Sequence, residues 1–174
     1  MGVAIYVVRR DRVARLNDRR LDICTQLIDA IDDLRTSLVV GLDEVRVPAQ
    51  RTYAAVAKIR GMFETTHPRY CRWLNERVTE VRSELLALTA EDVVHKYGTD
   101  AEKEGIVVRT RKRIDAVGNL DAKLASLIEN TTFWMAKPSA WKPDTKMIDN
   151  WQKAKTEYPW LVHHREDDPP PTQE

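Results

Sequence analysis

The chain has 174 residues, of which 43% are hydrophobic and 32% are charged, and its 28 basic and 27 acidic side chains leave a net charge of +1. Six glycines and this balance of charge exclude collagen-like, low-complexity and strongly polyelectrolyte chains. No apolar run reaches the roughly 18 residues that span a bilayer, because the longest, Val3 to Val8, stops at Arg9. That run also lacks the flanks of a secretory signal, so we expect a soluble protein.

Helical periodicity starts near Asp11. From there to Val45, hydrophobic residues return every three or four positions, which predicts one amphipathic helix about 50 Å long. Its stripe consists of Val13, Leu16, Ile23, Leu27, Ile31, Leu34, Leu38, Leu42 and Val45. Residues 1–10 are predicted as an N-terminal extension, for which a lone strand and a continuation of the helix both stay open.

Two prolines mark the next two helices. The second helix starts near Pro48, whose missing N–H costs nothing in a first turn, and it ends near Glu64. The third starts near Pro68, and its apolar residues alternate at three- and four-residue spacings, the pattern of a coiled-coil seam. The seam consists of Cys71, Leu74, Val78, Val81, Leu85 and Leu88.

The remaining helical part is predicted as two helices. Thr89 has the sequence context of a helix start, which favours a separate short helix ending at Tyr97. Thr99–Glu102 has the form of a capping box and opens a long helix that ends at Lys137, before a proline. Inside that helix, Gly118 favours a kink or a close contact with another helix.

Residues 11–137 therefore predict an all-α fold, as an antiparallel helical bundle or an extended helical hairpin with coiled-coil character. A compact domain of this size spans about 40 Å, which is less than the first helix. Part of that helix should therefore project and meet a second chain. Leu34 and Leu38 are the predicted partner-binding residues of its stripe.

An irregular, tryptophan-rich docking segment is predicted for residues 138–162, with a short helix from Asp144 to about Glu157. Its anchors are large amphipathic side chains of the kind that dominate interfaces, namely Trp141, Trp151, Tyr158 and Trp160. The segment either folds back on its own bundle or docks into a neighbouring subunit. Residues 163–174 are acidic and proline-rich, which predicts a disordered tail.

Two basic clusters raise the alternative of a helical nucleic-acid-binding protein. The first cluster consists of Arg12, Arg15 and Arg19, which lie on one side of a helix and could contact phosphates. The second consists of Arg109, Arg111, Lys112 and Arg113. Acidic residues follow the first cluster on the same helix, including Asp22, Asp29, Asp32 and Asp33. Such separated charge also favours head-to-tail or antiparallel pairing between protein chains.

A third hypothesis is a ribonuclease. The eight residues from Arg60 to His67 resemble the motif of the all-helical HEPN ribonuclease family, in which an arginine precedes a histidine by a few residues. In that family the two side chains act on the scissile phosphate of RNA. The resemblance implies Arg60 and His67 as a catalytic pair.

The sequence contains no phosphate-binding glycine loop and no nucleophile motif. His67 and Cys71 stand four residues apart, a spacing that two metal ligands can share on one helix, but no second pair has such a spacing. Cys24 and Cys71 are predicted as small core residues. We therefore predict no catalytic residues, no metal and no cofactor.

These patterns together favour a non-catalytic helical scaffold, structural or adaptor subunit that acts by protein–protein interaction, as a homo- or hetero-oligomer. The preference for arginine over lysine suggests a larger bacterial or viral assembly. Two cysteines in 174 residues fit a reducing compartment, so the predicted location is the cytoplasm, or the virion for a viral protein. No membrane partner is expected.

Overall fold

The computed structural model describes residues 2–97 and 106–157, with side chains at residues 11, 13–90, 92, 93, 97 and 113–157. These residues form α-helices and one 3-10 turn, without a strand among them, so the predicted all-α fold is confirmed. The elements are α1 (Gly2–Val40), the 3-10 turn (Leu42–Val45), α2 (Arg46–Phe63), α3 (Pro68–Tyr97), α4 (Ile106–Ala136) and α5 (Lys146–Glu157). None of the described helices combines the length and the hydrophobicity needed to span a bilayer.

Neighbouring helices run antiparallel. Between α1 and α2, Lys58 Nζ donates to Gln26 Oε1 at 3.3 Å and Arg51 pairs with Asp33 at 3.3 Å, so numbers rise on one helix as they fall on the other. The other neighbouring helices show the same antiparallel order of contacts. α2 contacts α3 through Arg60 and Asn75 and through Tyr53 and Arg82. α3 contacts α4 through Tyr70 and Thr131 and through Asp92 and Arg113, and α4 contacts α1 through Trp134 and Arg20 and through Asp121 and Arg35. α1 to α4 therefore form an antiparallel four-helix bundle.

The core lies along the bundle axis, where the apolar stripes of all four helices meet. Its fully buried aliphatic side chains are Leu27, Ile31, Leu34, Ile59, Leu74, Val81, Leu120, Leu124 and Leu127. Burying one such side chain stabilises the fold by about 1.5 to 3 kcal/mol. The predicted seam of α3 is part of this core, and coiled-coil pairing with a second chain stays a prediction.

The first helix differs from its predicted bounds at both ends. It starts at Gly2, so the apolar run near the N-terminus continues the helix and is not a strand. It ends at Val40, because the backbone at Gly41 is extended and Leu42–Val45 turns into a 3-10 conformation. Leu42 and Val45 are buried nonetheless, so the end of the stripe still closes the core.

α3 is one continuous helix where the sequence predicts two. The hydroxyl of Thr89 donates to the carbonyl oxygen of Leu85 at 3.0 Å within the same helix, so Thr89 caps no new one. Beyond Thr89 the helix contacts α4 at Asp92, whose carboxylate pairs with Arg113 at 2.8 Å. The predicted capping box at Thr99 lies outside the described residues.

α1 extends past the helices that flank it. Lys58 of α2 lies level with Gln26 of α1. α2 ends five residues later, at Phe63, so its end lies level with Leu21 of α1. We call residues 2–22 the projecting half of α1 and residues 23–40 its packed half. α4 accompanies α1 slightly further than α2 does, because its Trp134 contacts Arg20. At 1.5 Å per residue, residues 2–18 extend about 25 Å beyond the bundle.

Candidate interaction surface

The projecting half of α1 presents hydrophobic side chains to solvent. Val13 is 53% exposed, Leu16 45% and Leu21 44%. The described side chains from Asp11 to Arg19 are all exposed. Val13 and Leu16 continue, at helical spacing, the stripe that is buried from Ile23 onwards. The chain therefore carries a contact stripe that the described residues leave uncovered.

The projecting half leaves the bundle at a cluster that we call the neck, made of Arg20, Phe63, His67 and Trp134. The Arg20 guanidinium lies over the Trp134 ring, 5.9 Å from its centroid. The rings of Phe63 and His67 meet the same indole edge-on, each at 5.4 Å between centroids. Burial, and then the positive charge of Arg20, lower the pKa of His67 below its usual 6.5.

Trp134 also joins the neck to the aromatic side chains of α3. Tyr70 stacks on Trp134 with centroids 4.1 Å apart, and its hydroxyl donates to Thr131 Oγ1 at 2.9 Å. Burial raises the pKa of Tyr70. Trp141 packs edge-on against Tyr70 at 5.1 Å and against Trp73 at 5.4 Å. These rings attach the chain after α4 to the end of the bundle that carries the neck.

α5 packs against α4 at a glycine. Gly118 leaves room for the Trp151 indole, and a Cβ atom at this position would overlap the six-membered ring. Beside this contact, Lys155 Nζ pairs with Asp115 Oδ1 at 2.8 Å and lies 5.9 Å from the centroid of the Trp151 ring. Gly118 is thus the site of a close helix contact, one of the two outcomes predicted for it.

The connection between α4 and α5 is held by one buried amide. Asn130 Nδ2 donates to the carbonyl oxygen of Asp144 at 2.8 Å, and Asn130 Oδ1 accepts from the Asp144 N–H at 2.8 Å. The Asp144 carboxylate then accepts from the N–H of Lys146 at 2.8 Å and caps α5. The sequence contained no sign of this role for Asn130, because the Asp144 backbone atoms that it binds lie fourteen residues away.

The described tryptophans of the predicted docking segment therefore contact their own chain. Trp141 lies on α3, and Trp151 lies on α4. For these two side chains the structure shows the fold-back arrangement, one of the two that the sequence left open. Tyr158, Trp160 and the predicted disordered tail lie outside the described residues.

The structure corrects the prediction for Leu34 and Leu38. Leu34 is fully buried and Leu38 is 7% exposed, and both face the core of their own bundle. A side chain without exposed surface offers a partner nothing to contact, so the uncovered part of the stripe lies in the projecting half.

The predicted basic clusters have different surroundings. Arg15 and Arg19 are exposed and have no hydrogen-bond or ion-pair partner within the described residues. Arg113, in contrast, pairs with Asp92 at 2.8 Å. The side chains that fall outside the described set are those of Arg12, Arg109, Arg111 and Lys112.

Arg60 and His67 have separate neighbours. The Arg60 guanidinium donates to Asn75 Oδ1 at 2.8 Å, in the groove between α2 and α3. The His67 ring lies in the neck against Phe63 and Trp134, and the cation that affects its pKa is Arg20. The described contacts therefore give no shared site to the pair that the ribonuclease resemblance requires.

Both cysteines are free and buried, as predicted for core residues. Burial raises the pKa of the Cys24 thiol to about 12 and that of the Cys71 thiol to about 11. Thiols with such pKa values are weak nucleophiles and weak metal ligands near neutral pH. Within the described residues, no group of three or more His, Cys, Asp or Glu side chains is placed to hold a metal ion.

A groove between α1 and α2 is a feature that apolar periodicity does not reveal. It has a volume of about 310 Å³ and an alanine floor formed by Ala30, Ala54 and Ala55. Its rim is polar and consists of Gln26, Asp29, Asp33, Arg51 and Lys58. Asp29 has no hydrogen-bond or ion-pair partner among the described residues. The three- and four-residue spacing of polar residues along α1 is the signal that could have found it.

Comparisons with known proteins identify no family for this chain. No protein-family model, no curated protein and no solved structure matches it. Its function is therefore inferred from the surfaces described above.

Proposed function

We propose that this protein is a non-catalytic helical scaffold or adaptor subunit of a larger assembly, and that the projecting half of α1 is its partner-binding element. The observation that carries the proposal is the exposure of Val13 and Leu16 on a stripe whose continuation is buried. A helix whose exposed apolar side chains continue past its bundle offers them to another chain.

The energetics of helices support this proposal. In proteins, most of the stability of a helix comes from packing its apolar face, and an isolated helix in water is only marginally stable. The projecting half has exposed apolar residues at Val13, Leu16 and Leu21 and receives no such packing from the described residues. A partner that covers these side chains would contribute about 25 cal/mol for each Å² of apolar surface that it buries.

The contacts of α5 support the same proposal. Trp151 and Lys155 fasten α5 to α4, and Trp141 fastens the preceding loop to α3. The bundle is therefore a firmly packed body, and α1 is the element that reaches away from it.

Nucleic-acid binding is the second candidate function. It is supported by the exposed guanidinium groups of Arg15 and Arg19, which have no hydrogen-bond or ion-pair partner among the described residues. Exposed carboxylates at Asp11 and Asp18 interrupt this basic surface, which weakens its attraction for phosphates. The Arg15→Glu/Arg19→Glu variant should lose any shift of labelled RNA or DNA in an electrophoretic assay. A shift that survives this change would rule out the cluster as the nucleic-acid site.

Photo-crosslinking tests the interaction proposal directly. A photoreactive phenylalanine analogue at position 16, in the full chain and in the cells that make it, should give protein adducts after irradiation. The matched control carries the analogue at Arg72, an exposed position of α3. The expected result is adducts from position 16 and none from position 72.

The pattern of adducts decides the proposal whichever protein is captured. Adducts of the chain with itself and adducts with another protein both support a partner-binding α1. Equal yields at the two positions, or none at position 16, would contradict it.

A further inference from the structure

One face of α1 carries a row of seven polar residues that runs through both halves of the helix. We call it the charged row, and it consists of Arg12, Arg15, Arg19, Asp22, Gln26, Asp29 and Asp33. Successive members are three or four residues apart, so they lie along one side of the helix. All the basic members are in the projecting half, and the last three members are in the packed half, on the rim of the α1–α2 groove.

The charged row is self-complementary. The spacings of its first six members, Arg12 to Asp29, are symmetric about the midpoint between Arg20 and Leu21. A second α1 that lies antiparallel about this midpoint therefore meets it with opposite charge at two of the three pairs. The pairs that result are Arg19 with Asp22, Arg15 with Gln26, and Arg12 with Asp29, each formed twice. An interface related by a two-fold axis requires this property, since the same surface must match itself.

The groove lies where the antiparallel arrangement needs it. When one α1 overlaps the other in this register, the projecting half of each copy runs beside the packed half of the other. The α1–α2 groove opens on that side, and Asp29 on its rim has no hydrogen-bond or ion-pair partner among the described residues. In this register, position 12 of one copy stands opposite the Asp29 carboxylate of the other.

The apolar stripe also takes part in this arrangement. Leu16 lies fourteen residues before Ala30, close to four whole helical turns, so both lie on the same flank of α1. Ala30 belongs to the floor of the groove that borders α2. A two-fold axis brings equal flanks together, which places the exposed Leu16 beside α2 of the second copy.

Two basic residues of α2 stand next to the charged row. Arg51 is already paired with Asp33 at 3.3 Å, so its charge is compensated. Lys58 donates to the neutral Gln26, and in the antiparallel register it stands opposite Arg15. Lys58 thus opposes the arrangement, and its removal should strengthen the pairing.

We propose that the partner of the projecting half is a second copy of this chain, which binds antiparallel so that the projecting half of each α1 lies in the α1–α2 groove of the other. This inference rests on the proposed function of α1 and names its partner. The charged row sets the register, and Leu16 contributes apolar contact against α2.

A charge-swap experiment on the full chain tests the register. The first variant is Arg12→Glu/Arg19→Glu and the second is Asp22→Arg/Asp29→Arg, and each sets like charges against each other across the two-fold axis. In sedimentation velocity at micromolar concentration and low salt, the wild type should be a dimer. Each variant alone should dimerise about tenfold more weakly or not at all, because close like charges are strongly unfavourable at an interface.

Mixing the two variants provides the decisive measurement. In the heterodimer, each introduced acidic side chain stands opposite an introduced basic one, and the native arginines of one chain stand opposite the native aspartates of the other. The equimolar mixture should therefore form a heterodimer of near wild-type affinity. The matched control is Arg69→Glu/Arg72→Glu, on exposed positions of α3, which should dimerise like the wild type. Circular dichroism checks that every variant keeps its helicity.

The Lys58→Glu variant provides a test in which the affinity of dimerisation should increase. Replacing a like charge opposite Arg15 by a carboxylate should tighten the dimer by roughly threefold, the effect of a favourable surface pair. Unchanged or weaker dimerisation would contradict the register.

Several outcomes overturn the inference without touching the proposed function. A wild type that stays monomeric, a dimer indifferent to both charge reversals, or a mixture that fails to pair would each exclude this two-copy arrangement. A dimer that forms only after RNA or DNA is added would also exclude it. The crosslinks from position 16 decide the proposed function separately, because adducts with a different protein leave it standing.

Discussion

The two halves of α1 share one hydrophobic repeat, but its side chains are buried in one half and exposed in the other. In the packed half, Leu27, Ile31 and Leu34 are fully buried, whereas Val13 and Leu16 in the projecting half are about half exposed. The arginines differ in the same way. Arg35 makes two hydrogen bonds to the Asp121 carboxylate, at 2.7 and 3.1 Å, while Arg15 and Arg19 are unpaired within the described residues.

This difference shows that a hydrophobic repeat predicts which face of a helix is apolar. The lengths and positions of the neighbouring helices determine which part of that face is buried. α2 has 18 residues and α1 has 39, so α2 can accompany α1 along only about half of its length. The described helices leave the remainder without cover. The exposed stripe follows from the lengths of the neighbours, and the repeat itself does not change at the neck.

The largest expected effect is a difference between the two halves of α1 in their contribution to the free energy of unfolding. Leu34→Ala removes a fully buried side chain and should lower the free energy of unfolding by about 2 to 5 kcal/mol. Leu16→Ala should lower it by less than about 0.5 kcal/mol at concentrations where the chain is monomeric, since an exposed side chain loses little contact. Urea denaturation followed by circular dichroism measures both, and equal effects would abolish the distinction.

A smaller effect concerns α5. This helix packs on α4, whereas no described element packs on the apolar side chains of the projecting half. Gly118→Val puts a side chain where the Trp151 indole lies, and should release α5 with a loss of roughly 1 to 3 kcal/mol. Limited proteolysis should then cut within residues 138–157 of the variant earlier than in the wild type.

Gly61→Val is the matched control for this change. Gly61 is a helical glycine of α2 with open space around its Cβ position, so only the intrinsic helix propensity changes there. If both variants are cut in the same place at the same rate, Gly118 has no special role in seating α5.

A pH effect is expected at the neck, where the two halves meet. The pKa of His67 is lowered in the folded protein, so the unfolded chain binds the proton first as the pH falls. The contribution of neutral His67 is complete above its usual pKa of 6.5, and it declines below that pH until the folded pKa is passed. The urea midpoint should therefore fall between about pH 7.5 and about pH 5.5.

His67→Gln isolates this contribution, because glutamine does not titrate in that range. The variant should lose part of the pH dependence, and the remainder belongs to other groups. A wild type and a variant with the same pH dependence would show that the neck does not respond to the protonation of His67.

The smallest effect is a difference in labelling that leaves stability unchanged. At neutral pH, Cys24 should react with iodoacetamide roughly a hundredfold or more slowly than a cysteine introduced by Asn17→Cys, because it is buried and its pKa is raised to about 12. Asn17 is exposed and lies on the side of α1 opposite the charged row. Mass spectrometry of the labelled peptides gives both rates. Fast labelling of Cys24 would show that the packed half of α1 begins after this residue.

Much of the fold could be predicted from the sequence, because helices are local structures whose periodicity is visible in a single chain. The stripe from Ile23 to Leu38 and the seam of α3 are both buried as expected. Gly118 was marked as an unusual position, and it is the site where Trp151 packs. The predicted break at Thr89 failed because the hydroxyl found an acceptor within α3, a choice that the local sequence does not settle.

The candidate surface was predictable only in part. The length of the repeat predicted that α1 would project, but Leu34 and Leu38 were assigned to the wrong side of the border between buried and exposed. That border depends on where α2 ends relative to α1, a distance between two elements. The roles of Trp141 and Asn130 likewise depend on residues far away in the chain.

The amino-acid sequence by itself determined the helices, their apolar faces and the separation of charge along α1, because these properties follow from spacings of three and four residues. The tertiary structure alone decided which half of α1 is covered, which arginines are paired and where the tryptophans pack. Those outcomes depend on contacts between elements, and contacts between elements are set by the relative lengths and positions of helices that no local pattern encodes.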